Sequence, residues 1–226
     1  MDNNIDFRLS CWYSGGCPLE TSNCKKTCRR YLEMNCLISN CGMSNASKFL
    51  KPLIPKKVDL KSFQYLQDIK DNVVDFIESG KNLFIASVNL QTGKTSWSLK
   101  LLYKYFDEIW CGNGFRVRGY FLHVPTFLSK MKDFGYKETV EFKRIEKYIK
   151  NCDVIIWDDV TSQILTPFEQ NLINMYIDQR LMEDKANIFN GQVTSLDDLE
   201  RIVGKKLATR LTCCQDAVLL YGESHK

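Results

Sequence analysis

The 226-residue sequence has no apolar run that approaches the length of a membrane span. Its N-terminus, MDNNIDFRLS, lacks the apolar stretch of a secretory signal peptide. We therefore expect an intracellular protein without membrane contact, whose ten cysteines are reduced or metal-bound. No internal repeat or low-complexity tract is present, and a net charge of +4 permits a nucleic-acid partner without establishing one.

Cysteine is concentrated at one end, because six of the ten lie within the first 41 residues. Their spacing, C-x5-C-x6-C-x3-C-x7-C-x4-C, lacks the familiar pair of CxxC knuckles, and neither His123 nor His225 lies nearby. Four thiolates around Zn²⁺ would nevertheless fold a segment too small for its own core. Buried, reduced cysteines are the alternative. Cys36 is expected to pack in the core beside Leu32, and Cys41 to be free. The predicted zinc ligands are Cys11, Cys17, Cys24 and Cys28.

The composition divides the chain into three parts. After Cys41, the stretch GMSNASKFLKPLIPKK contains Pro52 and Pro55 with small polar residues and lysines, and it offers little apolar surface to bury. We predict a cysteine-rich module at residues 1–42, a linker at 43–57 and an α/β domain at 58–226.

Strands and helices alternate beyond the linker. Apolar residues from Leu60 to Ile77 recur at helical spacing, and Gly80 can end that helix. Alternation of helices with short apolar runs predicts a parallel sheet. The runs predict buried strands at 82–87, 119–124, 153–157, around 188–191, and at 217–221.

The stretch SVNLQTGKTS, residues 87–96, follows the first predicted strand and ends like a phosphate-binding loop. Val88 replaces the first glycine of the signature, and Gln91 occupies a position that often carries glycine, where a side chain would restrict a loop that needs a positive φ. A strand–loop–helix of this kind points backbone N–H groups at an anion. We predict Lys94 on the phosphates and Thr95 on Mg²⁺; an ordinary strand–turn–helix is the alternative. The predicted ATP-binding residues are Thr92, Gly93, Lys94, Thr95 and Ser96.

A second motif, DVIIWDDV, places two carboxylates after an apolar strand. Open α/β sheets bind ligands at the carboxyl ends of their strands, so Asp158 is predicted to hold Mg²⁺. Asp159 occupies the place of the base that activates water, where a glutamate is more usual, and its shorter side chain indicates slow turnover. Two acids that merely cap the next helix are the alternative.

With both motifs placed, the sequence resembles the AAA+ ATPases of the DnaC/DnaI helicase-loader type, in particular the short versions found in phages and mobile elements of Gram-positive bacteria. The resemblance implies a P-loop NTPase fold without a C-terminal helical lid, ATP and Mg²⁺ as cofactors, and a cytoplasmic location. Members often lack the first loop glycine, so Val88 is compatible with the family. The stretches that carry the resemblance are GKTSWSLKLLYKYFDEIWCGNGF, GYFLHVPTFL, VIIWDDV, INMYIDQRL, NIFNGQ and KKLATRL.

The resemblance also implies roles for single residues. Gln192 matches a sensor of the γ-phosphate, with Asn190 at the position usually held by threonine. Arg210 matches an arginine that enters a neighbour's ATP site, although it also fits an ordinary basic residue on an amphipathic helix. Arg180 is a weaker second candidate for an intersubunit contact. Lys226 is the nearest equivalent of the arginine that contacts nucleotide within its own chain.

In such loaders the N-terminal module grips the hexameric replicative helicase, while the ATPase domain meets single-stranded DNA and its neighbours. Phe115, Arg116 and Arg118 are candidates for DNA contact, or else strand-edge residues. The resemblance therefore predicts ATP-dependent loading of the helicase, with self-association through ATP sites. Two alternatives remain: a non-hydrolysing helicase-binding adaptor or inhibitor with a decayed ATP site, and a transposition-associated ATPase of the IstB type.

Overall fold

Five parallel strands form one sheet, in the order β2-β3-β4-β1-β5, which confirms the predicted parallel α/β architecture. The computed structural model describes residues 11, 17, 24–25, 27–43, 46, 49–110, 112, 114–135, 137, 139–213 and 216–222. The strands are β1 (Asn82–Ser87), β2 (Gly119–His123), β3 (Val154–Asp158), β4 (Ala186–Gln192) and β5 (Asp216–Leu220).

Helices connect the strands and cover both faces of the sheet. The single helix predicted up to residue 77 is in fact two, because Asn72 leaves the helical region (φ −116°, ψ 32°) and its N–H caps the first of them. Gly80 then ends the second with φ +66°, as predicted. The helices are α1 (Arg29–Asn40), α2 (Leu60–Asp71), α3 (Val73–Glu78), α4 (Lys94–Ile109), α5 (Val124–Asp133), α6 (Val140–Asn151), α7 (Pro167–Met182), α8 (Leu196–Val203) and α9 (Lys205–Thr212), with a 3₁₀ turn at Lys57–Asp59.

The core lies on both sides of the sheet. Along β1, Leu83 and Ile85 belong to one buried cluster, whereas Phe84 and Ala86 belong to the other. Burial of both faces explains why the strands are continuous apolar runs instead of alternating ones. Among the described residues, no helix has both the length and the apolar composition needed to cross a membrane.

Helix α1 packs on the same core as the sheet. Its Met34 and Leu37 are 2% exposed and belong to the cluster that contains Leu83. The Cys41 carbonyl accepts a 2.6 Å bond from the N–H of Phe121 on β2. The N-terminal cysteine-rich segment is therefore attached to the α/β domain through α1.

The segment predicted as a linker also buries apolar surface. Ala46 is 2% exposed, and Phe49, Leu50 and Leu53 pack against the core. The expectation that this stretch has little apolar surface to bury is therefore wrong for these four residues, although Ile54 is 84% exposed. The domain boundaries themselves stay a prediction.

Candidate nucleotide-binding site

The loop after β1 leads directly into α4, as the motif predicted. Gly93 is the N-cap of α4 in the left-handed region (φ 94°), and the buried Lys94 is the first helical residue. The Lys94 ammonium donates a 2.6 Å bond to the Ser87 hydroxyl at the end of β1. Burial lowers the pKa of Lys94, and the charges of Asp158 and Asp159 act in the opposite direction. The cation is thus held inside the loop.

The loop has an unusual backbone at Gln91. Gln91 has φ +56°, so this position does require the left-handed conformation in which a side chain is unfavourable. Leu53 covers the loop from the N-terminal side, since a Cβ atom on Gly93 would lie 3.1 Å from the Leu53 Cδ1 atom. The segment before the α/β domain therefore helps to shape this site.

Asp158, the last residue of β3, lies at the centre of a chain of polar contacts. Its Oδ1 atom accepts bonds from the Thr95 hydroxyl (2.9 Å) and from the Asn190 amide (2.6 Å). The Ser98 hydroxyl donates to the Asn190 Oδ1 atom at 2.7 Å. Burial raises the pKa of Asp158. The two predicted Mg²⁺ ligands, Thr95 and Asp158, are therefore brought together.

Asn190 and Gln192 occupy different parts of the site. The sheet order places β4 between β3 and β1, so Asn190 reaches Asp158 directly, a central position that the sequence did not indicate. The Gln192 amide donates to the Val88 carbonyl of the loop at 2.9 Å. Its role as a sensor stays a prediction.

The polar groups of this site fit a magnesium nucleotide. The Thr92 hydroxyl oxygen is buried, and it has no hydrogen-bond partner among the described residues. A buried hydroxyl of this kind, next to a lysine and a helix N-terminus, is suited to bind a phosphate oxygen. Ser96 lies in the first turn of α4 and is partly exposed.

Asp159 follows Asp158 in the left-handed region (φ 57°) and faces a histidine. Its Oδ2 atom lies 3.5 Å from Nε2 of His123, the last residue of β2. The sequence analysis missed this histidine, although carboxyl ends of neighbouring parallel strands share one edge of a sheet. Its place at the end of a predicted strand was the available signal.

The two candidate arginines have different surroundings. Arg210 on α9 forms an ion pair with Asp178 and is 28% exposed; it lines a cavity beside Asn82, the first residue of β1. The phosphate loop follows the last residue of β1, so Arg210 lies far along the strand from its own chain's loop. Arg180 is 1% exposed and bonded within the fold, and its proposed intersubunit contact is therefore wrong.

The DNA-contact prediction for Arg118 is also wrong. Arg118 is largely buried, where it pairs with the Asp153 carboxylate and donates to the Tyr105 hydroxyl at 2.9 Å. It packs at the start of β2, as the strand-edge alternative required. Arg116 also pairs with Asp153 but stays exposed, and Phe115 is 62% exposed.

The structure does not bring the predicted zinc ligands together. Cys11, Cys17, Cys24 and Cys28 are free and partly exposed, and among the described residues no three of their sulfur atoms lie within 4.8 Å of one another. The expectation that Cys36 packs in the core is wrong, because Cys36 is partly exposed and donates to the Phe115 carbonyl at 3.3 Å. Cys41 is a free thiol and is fully buried.

Lys226 and His225 lie outside the described residues. The nucleotide contact considered for Lys226 therefore stays a prediction.

Comparison with known proteins identifies relatives of this chain. The chain is 23% identical over 188 residues to the replicative helicase loader DnaC of Buchnera aphidicola subsp. Baizongia pistaciae, a match that covers 80% of this chain and 65% of that protein. It therefore spans slightly less than two thirds of that relative. No protein-family model matches the chain.

Solved structures share the fold. A DnaC helicase loader superposes with a TM-score of 0.62 at 21% identity, covering 76% of this chain and 95% of that chain. DnaI gives 0.57 at 14%, covering 77% and 93%. AMPPCP-bound DnaA from Aquifex aeolicus gives 0.57 at 17%, covering 76% and 51%. The chain thus has the fold shared by these DnaC, DnaI and DnaA structures, and its sequence is similar to that of a replicative helicase loader DnaC.

Proposed function

We propose that this protein is an ATP-dependent loader of a hexameric replicative helicase onto single-stranded DNA. The observation that carries the proposal is the convergence of Lys94, Thr95, Asp158 and Asn190 at one sheet edge, in a chain similar to DnaC. A group of this composition binds and senses a magnesium nucleotide.

Each residue of the site has a distinct part in this proposal. The Lys94 ammonium would bind phosphate oxygens, and Thr95 and Asp158 would hold Mg²⁺, which would neutralise charge on the phosphates. Asp159 orients and deprotonates the attacking water. Asn190 bonds to Asp158 and Ser98, so it links the metal carboxylate of β3 to helix α4 and can report the state of the phosphates to both.

Assembly completes the site. Arg210 lies at the opposite end of β1 from its own loop, which suits an arginine that acts on ATP bound to an adjacent protomer. An arginine supplied in trans is worth roughly 10³ to 10⁵ in rate in well-studied phosphoryl-transfer systems. We therefore infer slow hydrolysis by the isolated protein and faster hydrolysis in the assembly with helicase or single-stranded DNA.

The N-terminal module is proposed to bind the helicase. Helix α1 connects it to the ATPase core, since the buried Glu33 carboxylate accepts a bond from the Gly112 N–H at 2.7 Å. Nucleotide-dependent movement of the core is therefore transmitted to the module through α1. This coupling supports a switch that grips and releases its partner.

A loading experiment tests the proposal. The purified protein is mixed with purified bacterial hexameric helicases and closed-circular single-stranded DNA, and helicase retained on the DNA is measured with and without ATP. We expect ATP-dependent retention that Lys94→Ala and Arg210→Ala abolish, while Lys104→Ala, a surface change on α4, keeps it. Absence of retention with every helicase, despite normal ATP binding, rejects the loader and favours the transposition-associated ATPase.

The adaptor alternative has its own support in the loop. Val88 and Gln91 depart from the usual phosphate-loop pattern, and Gln91 adopts a conformation unfavourable for its side chain. An adaptor binds the helicase without nucleotide. Helicase binding that is equally strong in the wild type and in Lys94→Ala, together with no calorimetric signal for ATP, would establish that alternative.

A further inference from the structure

One histidine and two aspartates meet at the ends of neighbouring strands. His123 on β2 lies opposite Asp158 on β3 in the sheet register, and Asp159 follows. One ligand atom from each side chain lies within 4.8 Å of the other two, and this is the one such group of acidic, histidine and cysteine side chains in the part of the chain that the structure describes. Asp158 is buried, whereas His123 and Asp159 reach solvent, so an ion has access.

The surroundings of these side chains are those of ligands. The His123 Nδ1 atom accepts from the Thr126 N–H and lies 2.7 Å from the Thr126 hydroxyl oxygen, which holds the ring at the N-cap of α5 with Nε2 3.5 Å from Asp159. Metal-binding histidines are normally oriented by a hydrogen bond at the second ring nitrogen, and these contacts orient the His123 ring. Asp158 is held through Oδ1 by Thr95 and Asn190, which fixes the carboxylate as well.

We propose that His123, Asp158 and Asp159 form a site for a divalent transition-metal ion that binds without nucleotide. An imidazole adds affinity for transition metals, while carboxylates alone suit Mg²⁺ and Ca²⁺. The donor set is therefore selective for transition ions over free Mg²⁺. Mn²⁺ is the suitable probe, because it accepts carboxylate and imidazole ligands and competes poorly for the thiolates of the N-terminal cysteines.

This site overlaps the proposed ATPase centre. The ion would engage Asp158, the carboxylate assigned to Mg²⁺, together with Asp159, the assigned base. A bound transition ion would thus compete with the magnesium nucleotide. This consequence rests on the proposed function, whereas ion binding itself does not.

Binding is measured by electron paramagnetic resonance, from the loss of the free Mn²⁺ signal as nucleotide-free full-length protein is added. We expect one Mn²⁺ per chain in the wild type. His123→Asn, which keeps an acceptor at the N-cap of α5, should weaken binding at least about tenfold, and Thr126→Val about tenfold through the lost support of the ring. Lys104→Ala should bind as the wild type does.

Equal Mn²⁺ affinity in the wild type and His123→Asn, with both folded by circular dichroism, overturns the proposal. So does undetectable binding by the wild type. Binding that is lost in Asp158→Asn but kept in His123→Asn would likewise overturn it, because the ion would then be held by carboxylates without the imidazole. A protein that loads helicase with Mg²⁺ and ATP yet fails this titration retains its proposed function and lacks the transition-metal site.

Discussion

Both ends of the sheet carry buried polar side chains, but they use them differently. At the amino ends of the strands, Arg180, Asn187 and Asp153 bond to the fold itself. At the carboxyl ends, Lys94 begins α4 and Asp158 ends β3, and both bond to side chains beside the loop that follows β1. Burial of a polar group therefore does not by itself distinguish a structural group from a functional one.

At the amino ends of the strands, the guanidinium of Arg180 makes its hydrogen bonds within the fold. Its guanidinium donates to the Asn187 side chain at 2.8 Å and to four backbone carbonyls. These carbonyls belong to Ile149, Cys152, Asp153 and Ala186. The arginine joins the end of α6 to the starts of β3 and β4, and its donors are used by the chain.

At the carboxyl ends of the strands, the buried polar side chains have a different kind of partner. Asp158 and Asn190 bond to each other and to the Thr95 and Ser98 hydroxyls in the first turns of α4, the helix that follows the strained loop. Strained conformations persist where surrounding structure holds them, and they cluster at ligand sites. Polar groups bonded to backbone carbonyls hold the fold at the amino ends, whereas those beside the strained loop are the ones to which we assign a ligand.

The largest expected effect is on stability at the amino end. Arg180→Leu should lower the free energy of unfolding by about 3–5 kcal/mol, because buried carbonyls lose a charged partner. Urea denaturation measures the change. Arg201→Leu, on the surface of α8, is the control and should change it by less than about 0.5 kcal/mol. Unchanged stability in Arg180→Leu would contradict the structural role.

The reverse pattern is expected at the carboxyl end. Lys94→Ala should weaken ATP binding about 10- to 150-fold, since a hydrogen bond to a charged group is worth about 1.5–3 kcal/mol. Calorimetry measures the affinity, and Lys104→Ala should match the wild type. The unfolding free energy should stay within about 1 kcal/mol of the wild type. A variant that binds ATP normally would remove Lys94 from the site.

The buried charge of Asp158 should lower the stability of the folded protein at neutral pH. Burial raises its pKa, so the folded protein holds the proton more tightly than the unfolded chain does. Stability due to this group is full at low pH and is lost as pH rises through the folded-state pKa. Asp158→Asn keeps both acceptor bonds without the charge. At pH 7 it should melt about 2–4 °C higher if the gain is about 1 kcal/mol.

Titration distinguishes this explanation from a general packing effect. The difference in melting temperature between Asp158→Asn and the wild type should shrink as the pH falls, and it should disappear below about pH 3.9, where both forms are uncharged at this position. Asp197→Asn, an exposed acid in the first turn of α8, is the control. A difference that does not vary with pH would contradict the assigned cause.

The sequence predicted the strands because buried parallel strands are short apolar runs, and β1 begins and ends at the predicted residues. It predicted Lys94, Thr95 and Asp158 because their motifs are local. It could not predict that Asn190 reaches Asp158, since that contact depends on β4 lying between β3 and β1. Arg180 was misassigned for the same reason: its acceptors come from separate segments of the chain.

The smallest expected effect concerns Gln91. It tests whether the backbone strain at this residue lowers the stability of the fold or the affinity for ATP. Gln91 has φ +56° in the folded chain, so we expect the cost of this conformation to fall on folding. Relief of a left-handed side-chain conformation is worth about 1–2 kcal/mol, but glycine adds about 0.5–1 kcal/mol of unfolded-state entropy. Gln91→Gly should therefore gain at most about 1.5 kcal/mol in urea denaturation. It should change ATP affinity by less than about twofold. Asp184→Gly is the matched control, because Asp184 also has a positive φ (49°), in a turn after α7. Its gain in unfolding free energy should be smaller, since aspartate tolerates the left-handed region better than glutamine does. ATP affinity that rises more than about tenfold in Gln91→Gly, and not in Asp184→Gly, would mean that the loop is strained further when it binds nucleotide.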